Sequence, residues 1–184
     1  MKHFKENRLI AWIVLVLCVL FSLSFSGGRA LANLRAETEQ VFYQGVHADG
    51  LSIGTDLDTR AECAYNLAST ASNYQDIDAA LATSVRDASN ALAAAKTIEE
   101  KYAANAACQR AVEDLYTALD NAQLSEKDYS FALRQYKEFQ SRADTISRDD
   151  YNRQATQFNQ TLSAFPASFV GGLSGVKKLS LFDQ

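Results

Sequence analysis

Tyr151-Asn152-Arg153-Gln154-Ala155-Thr156-Gln157-Phe158-Asn159-Gln160-Thr161-Leu162-Ser163-Ala164-Phe165-Pro166 is the stretch on which the fold turns. Its aromatics at 151, 158 and 165 recur every seven residues, or two helical turns. They therefore fall on one stripe of one helix. Pro166 ends the stripe, and Gly171, Gly172 and Gly175 beyond it argue against further regular helix.

Upstream, no glycine lies between Gly54 and Gly171, and the single proline is Pro166. A long stretch rich in Ala, Gln, Asp, Glu, Arg and Lys favours helix, since these residues lose little on entering one. Strands would need turn punctuation that is missing. Leu57, Ala61, Ala64, Ala68, Ala71, Tyr74, Ile77, Leu81, Val85, Ala88, Leu92 and Ala95 keep three-four spacing. They predict one helix over 57–95, about 60 Å long, that needs partner helices along its length. Thr55-Asp56-Leu57-Asp58 reads as its capping box, after a loop over 45–55 punctuated by Gly45, Gly50 and Gly54.

Two more capping boxes, Thr97-Ile98-Glu99-Glu100 and Ser125-Glu126-Lys127-Asp128, place turns near Lys96 and Asn121-Ala122-Gln123. Helices over 98–120 and 126–165 follow. The second turns Tyr129, Leu133, Tyr136, Phe139 or Gln140, Ile146, Tyr151, Phe158, Leu162 and Phe165 inward. Short turns force antiparallel neighbours, so the expected class is all-α, an antiparallel up-down bundle of long helices.

Residues 1–32 form a separate segment. Leu9–Phe25 is a run of 17 residues without a charge, preceded by Lys2, Lys5 and Arg8. That suits a single membrane-spanning anchor with a cytoplasmic N-terminus and residues 33–184 outside. Trp12 reads as an apolar or interfacial residue of this helix. Ala30-Leu31-Ala32 also fits a signal-cleavage site, so a released, secreted chain is the alternative. Asn33–Tyr43, with Leu34, Val41 and Phe42 on its apolar side, is a short helix that can continue the anchor.

Charge narrows the partners. The chain has 18 basic and 22 acidic side chains. Lys2, Lys5, Arg8, Arg29 and Glu6 fall in residues 1–32, leaving 14 basic and 21 acidic beyond, a balance of −7. An acidic domain repels phosphate backbones, which argues against nucleic acid, and it gives no electrostatic pull toward anionic lipid.

Few side chains suggest chemistry. His47 stands in a Gly-rich loop with only Asp49 near it, too few ligands for a metal. Cys63 and Cys108 invite a disulfide in an exported chain. However, a hairpin turning at Lys96 separates them by about 30 Å, so two buried thiols are expected. Asp76-Ile77-Asp78, Glu99-Glu100 and Asp149-Asp150 are neighbours that do not face each other on a helix, and read as solvated acids. No Gly-rich phosphate loop, HExxH or CxxC occurs. Neither a cofactor nor a metal is expected. Asn152 and Asn159 share a stripe beside the aromatics, as amides that set helix register or as a partner-binding ridge. Phe169 to Phe182 is an apolar tail with Lys177 and Lys178 its only charges. It either packs on the bundle end or docks elsewhere.

Tyr-Asn, five residues, aromatic-Asn, five residues, Phe-Pro and an apolar Gly-rich tail ending in Phe resembles the C-terminal signature of the LemA family. Arg60, Asn66-Leu67, Tyr74, Leu81, Val85-Arg86, Ala88 and Arg148-Asp149-Asp150-Tyr151-Asn152 extend the likeness across roughly 33–184. Tyr65 stands where the family usually has proline. The Thr-Glu-Asn stretch is not recognisable at Ser141-Arg142-Ala143-Asp144, and 45–55 resembles an insertion. The resemblance implies a membrane-anchored helical bundle with an exported soluble part, and no established reaction. The expected function is a scaffold or adaptor of the cell envelope with an unidentified protein partner. Its signature residues Tyr151, Asn152, Phe158, Asn159, Phe165, Pro166, Phe169 and Phe182 are the candidate interaction site. The alternative is a secreted bundle serving as a ligand- or stress-sensing module.

Overall fold

The computed structural model describes residues 2–182. Within them seven α-helices follow in order: α1 Lys2–Gln44, α2 Ile53–Ala71, α3 Ala79–Ala94, α4 Ile98–Asn121, α5 Glu126–Ser147, α6 Asp150–Ser163 and α7 Ala167–Ser174. A single 3-10 turn, Val46–Ala48, lies between α1 and α2, and the described residues form no strand. The all-α class is therefore as expected. The chain divides into two compact units, residues 1–39 with 153–179, and residues 40–152 with 180–184.

In the second unit α3 and α5 both pack on α2 and α4, and α2 also packs on α4. Leu57, Ala64, Leu67 and Ala68 of α2, Val85 and Leu92 of α3, Val112, Leu115 and Leu119 of α4, and Phe139 and Ile146 of α5 are buried. Ser89 Oγ donates to Ala61 O at 2.9 Å, and Asn66 Nδ2 to Gln135 Oε1 at 3.1 Å, tying α3 and α5 to α2. Thr97 and Ser125 cap α4 and α5 as read. Glu100 returns its carboxylate to the Lys96 and Thr97 amides, and these bonds hold it below the usual carboxylate range.

Three boundaries differ from expectation. The 57–95 rod is two helices, parted at 72–78. Tyr74 is half-buried and Ile77 buried across the break, so the apolar spacing runs through it unaltered. Side chains interrupt the helix instead. Asp78 Oδ1 accepts from Ala80 N at 2.8 Å and caps α3. Tyr74 turns out to donate to Asp128 Oδ2 at 2.6 Å while accepting from Ser125 N. Likewise 126–165 is α5 and α6, parted where Asp149 Oδ1 accepts from Tyr151 N at 2.8 Å. The start of α2 is capped by Ser52, whose Oγ accepts from Thr55 N, rather than by Thr55.

Asp149 bears a cost for its position. Burial, then the charges of Asp150, Asp56 and Asp49, raise its pKa, although the Tyr151 amide opposes them. A carboxyl raised in the folded state binds more protons there than in the unfolded chain. Its contribution to stability thus falls as pH rises through the interval between the two values. Asp149→Asn keeps an equivalent cap and removes the charge. It should stabilise the bundle at pH 7, by roughly 0.5 kcal/mol after solvent screening, and have no effect at pH 3. Urea unfolding at the two pH values checks this.

In the first unit α1 packs against α7. A Cβ at Gly28 would run into Ser174 Oγ and sit 2.7 Å from Ser174 Cβ, and one at Gly171 would meet Leu162 Cδ1 at 2.5 Å. Glycine is what lets these segments close. This corrects the expectation that no helix follows Pro166: α7 forms, and Gly175 at φ 70° ends it. Arg35 Nε donates to Lys177 O at 3.2 Å.

Asn33–Tyr43 does continue the N-terminal helix, as α1. Among the described residues no helix is long and apolar enough to cross a membrane. The anchor read at Leu9–Phe25 includes Leu9, Leu20, Leu23 and Ser24, whose side chains lie outside the described ones.

Candidate interaction site: the C-terminal tail and its clamps

The signature residues divide into two sets. One set holds the tail from within. Tyr151 is fully buried, with its ring edge-on to Phe42 at 5.2 Å and its hydroxyl donating to Ser180 O at 2.6 Å. Asn152 meets Phe182 twice: Nδ2 donates to Phe182 O at 2.7 Å and Oδ1 accepts from Phe182 N at 2.6 Å. The Phe182 ring is buried against Phe42 at 5.5 Å and Tyr102 at 5.4 Å. Ser180 Oγ donates to Glu99 Oε1. In the other unit Asn159 treats Leu179 the same way, donating to its carbonyl and accepting from its amide, both at 2.8 Å. Phe158 and Leu179 are buried.

Each amide side chain thus presents one donor and one acceptor to a single tail residue, as a neighbouring β-strand would. That satisfies backbone groups the tail could not pair by itself. The two asparagines do serve hydrogen bonding, but toward the tail backbone rather than another helix. Spacing within α6 could not show this, because the partners lie 20 and 30 residues away.

The second set is exposed. Phe165 is 86% exposed and Phe169 52%, and Pro166 joins them at the surface. The inward placement of Phe165 is corrected: α6 ends at Ser163, so the seven-residue spacing no longer describes a helix there. Tyr129, also expected inward, is exposed and accepted by Asp120 Oδ1 at 3.2 Å.

A buried cation stands in the bundle core. Arg60 on α2 has 0% exposure. Its guanidinium carbon lies 3.9 Å from the centre of the Phe139 ring. Nη1 donates to Phe139 O at 3.3 Å and Nη2 to Gln109 Oε1, while Nε has no hydrogen-bond partner among the described residues. Gln109 in turn donates to Glu113 Oε1 at 2.5 Å. Burial pushes Arg60 down to about 10, although Cys108, Cys63 and Glu113 pull the other way. Cys63 and Cys108 are buried free thiols, each pushed up to about 11, chiefly by burial. Two buried free thiols are as expected, although the single-hairpin register behind that expectation does not hold: α2 is a separate helix packed on α4. Arg60 interrupts the apolar stripe of α2, and that interruption was the signal for it.

The remaining candidates have plain roles. His47 lies exposed with φ 60° in the turn after α1. Among the described residues no group of three or more His, Cys, Asp or Glu could hold a metal. Asp78, Glu100 and Asp149, read as solvated acids, are helix caps.

A four-helix packing unit and a C-terminal tail clamped by asparagines define a small helical bundle. The LemA family model matches residues 51–184, and the chain belongs to the LemA family. The match begins at Leu51, leaving 33–50 outside the region in which the likeness is shown. No curated protein and no solved structure matches the chain.

Proposed function

We propose that this LemA protein is a membrane-anchored scaffold or adaptor of the cell envelope, with its bundle on the far side of the membrane from its N-terminus. The observation that carries the reading is the surface of α1. Trp12, Ile13, Val14, Leu15, Val16 and Leu17 are each more than half exposed, at consecutive positions and hence all round the helix. Ile10, Val19, Phe21 and Phe25 are exposed as well. A helix apolar on every side is at home only in lipid or inside protein. The continuous helix past Ala30-Leu31-Ala32, packed on α7 at Gly28, favours retention over cleavage.

Catalysis is no part of this reading. His47 is solitary, and burial keeps Cys63 and Cys108 protonated at neutral pH. The protein partner would meet the exposed Phe165-Pro166 corner and Phe169, while the buried signature residues hold the tail. Cross-linking in intact cells, detergent extraction and mass spectrometry compare the native chain with Phe165→Ser/Phe169→Ser. A defined membrane partner lost in the variant is the expected result. A mature chain that starts near Asn33 and is free in the medium would instead establish the secreted module.

A further inference from the structure

The apolar run of α1 and helix α7 share a groove. Leu17, Phe21 and Phe25 stand four residues apart on one stripe of α1, and Arg29 continues it. Leu173 and Val176 form the opposite wall of this open groove, whose volume is about 660 Å³. That volume is in the range of small-molecule sites, and the lining is overwhelmingly apolar. The Arg29 guanidinium sits 5.7 Å from the centre of the Phe25 ring, at the charged end of the stripe. Local charge there opposes the chain's overall sign. Residues 26–34 and 167–179 contain Arg29, Lys177 and Lys178 and no acid.

We infer that this groove holds one acyl chain of an anionic phospholipid, with the lipid phosphate on Arg29. The inference rests on the anchored reading. If Leu9–Phe25 spans the bilayer, Leu17, Phe21 and Phe25 lie at acyl-chain depth and Arg29 at the headgroups. Hydrocarbon is then the only abundant occupant for the groove. A guanidinium at headgroup level suits a phosphate by bidentate hydrogen bonding. A basic side chain near an anionic surface is worth about fivefold in association. The balance of −7 over residues 33–184 leaves Arg29 out and averages Lys177 and Lys178 with acids that lie elsewhere in the sequence, so it concealed this patch.

The test uses the full chain in lipid vesicles. Trp12→Phe removes the single native tryptophan. Leu173→Trp then reports from the groove and Tyr65→Trp, on α2, serves as the control. Vesicles contain acyl-brominated phosphatidylglycerol or acyl-brominated phosphatidylcholine at equal mole fraction. The expected result is quenching of the groove tryptophan but not of the control, with about fivefold preference for the glycerol lipid. Arg29→Gln should bring that preference close to one. Co-flotation with quenching no greater than the control's overturns the groove. Quenching without headgroup preference, or a preference unchanged in Arg29→Gln, overturns the choice of an anionic lipid and the part given to Arg29 in it, since phosphatidylcholine carries a phosphate too. A chain that fails to float with the vesicles defeats the anchored reading itself and takes the inference with it.

Discussion

Arg60→Ala lowers the stability of the bundle by about 3 kcal/mol, whereas Arg60→Met stays within about 1 kcal/mol of the native chain. The difference separates two contributions of one side chain. Its stem and planar head fill space on α2 against Phe139, so truncation leaves a hole that surrounding helices fill only partly. Either substitution strips a donor from Phe139 O and from Gln109 Oε1, so that loss is common to both variants and the difference between them reads the packing. Methionine restores most of the volume. It also removes a charge that faces no carboxylate directly, since Glu113 reaches it only through Gln109. The depressed pKa, caused chiefly by burial, records that the charge itself is unfavourable there. Urea denaturation of the detergent-solubilised full chain measures both variants. Should Arg60→Met lose as much as Arg60→Ala, the charge and its hydrogen bonds outweigh the packing, and the role assigned to Arg60 is wrong.

The bundle's helices were legible where a cap and a turn coincided, as at Thr97–Glu100 and Ser125–Asp128. There side-chain oxygens meet free amides within four residues, a local event that sequence records directly. The breaks at 72–78 and 148–149 were hidden for a physical reason. Periodicity reports which side chains face a core, and Ala71, Ile77 and Ala82 face it before, within and after the first break, as Ile146 and Tyr151 do on the two sides of the second. The interrupting residues, Asp78 and Asp149, look like surface acids until their amide partners are seen. The candidate site divided similarly. Tyr151, Phe158 and Phe182 were visible as aromatics to be buried. What Asn152 and Asn159 hold was not, because their partners are backbone groups of a segment with no regular structure of its own.

That segment yields the second large effect. Phe182→Ala is expected to free the end of the tail while leaving the bundle folded. Burying a phenylalanine of this kind is worth about 3–5 kcal/mol at full truncation. Here the loss is capped by the docking free energy of Ser180–Phe182, because a tail already released has nothing more to lose. Asn152→Ala removes two hydrogen bonds to the same residue, about 1 kcal/mol each. The two substitutions should therefore fall well short of additive, with a coupling of about 1 kcal/mol or more. Hydrogen exchange at the Phe182 amide reads the docking directly, and urea unfolding reads the bundle. The clamp fails as an explanation if the double variant is strictly additive, for then ring and amide act at independent sites. It fails differently if Phe182→Ala unfolds the whole bundle, since Phe42 and Tyr102 would then need the tail to complete their core. Either result bears on the proposed adaptor. A tail that releases without unfolding the bundle could exchange its internal partner for an external one, while a tail integral to the core could not.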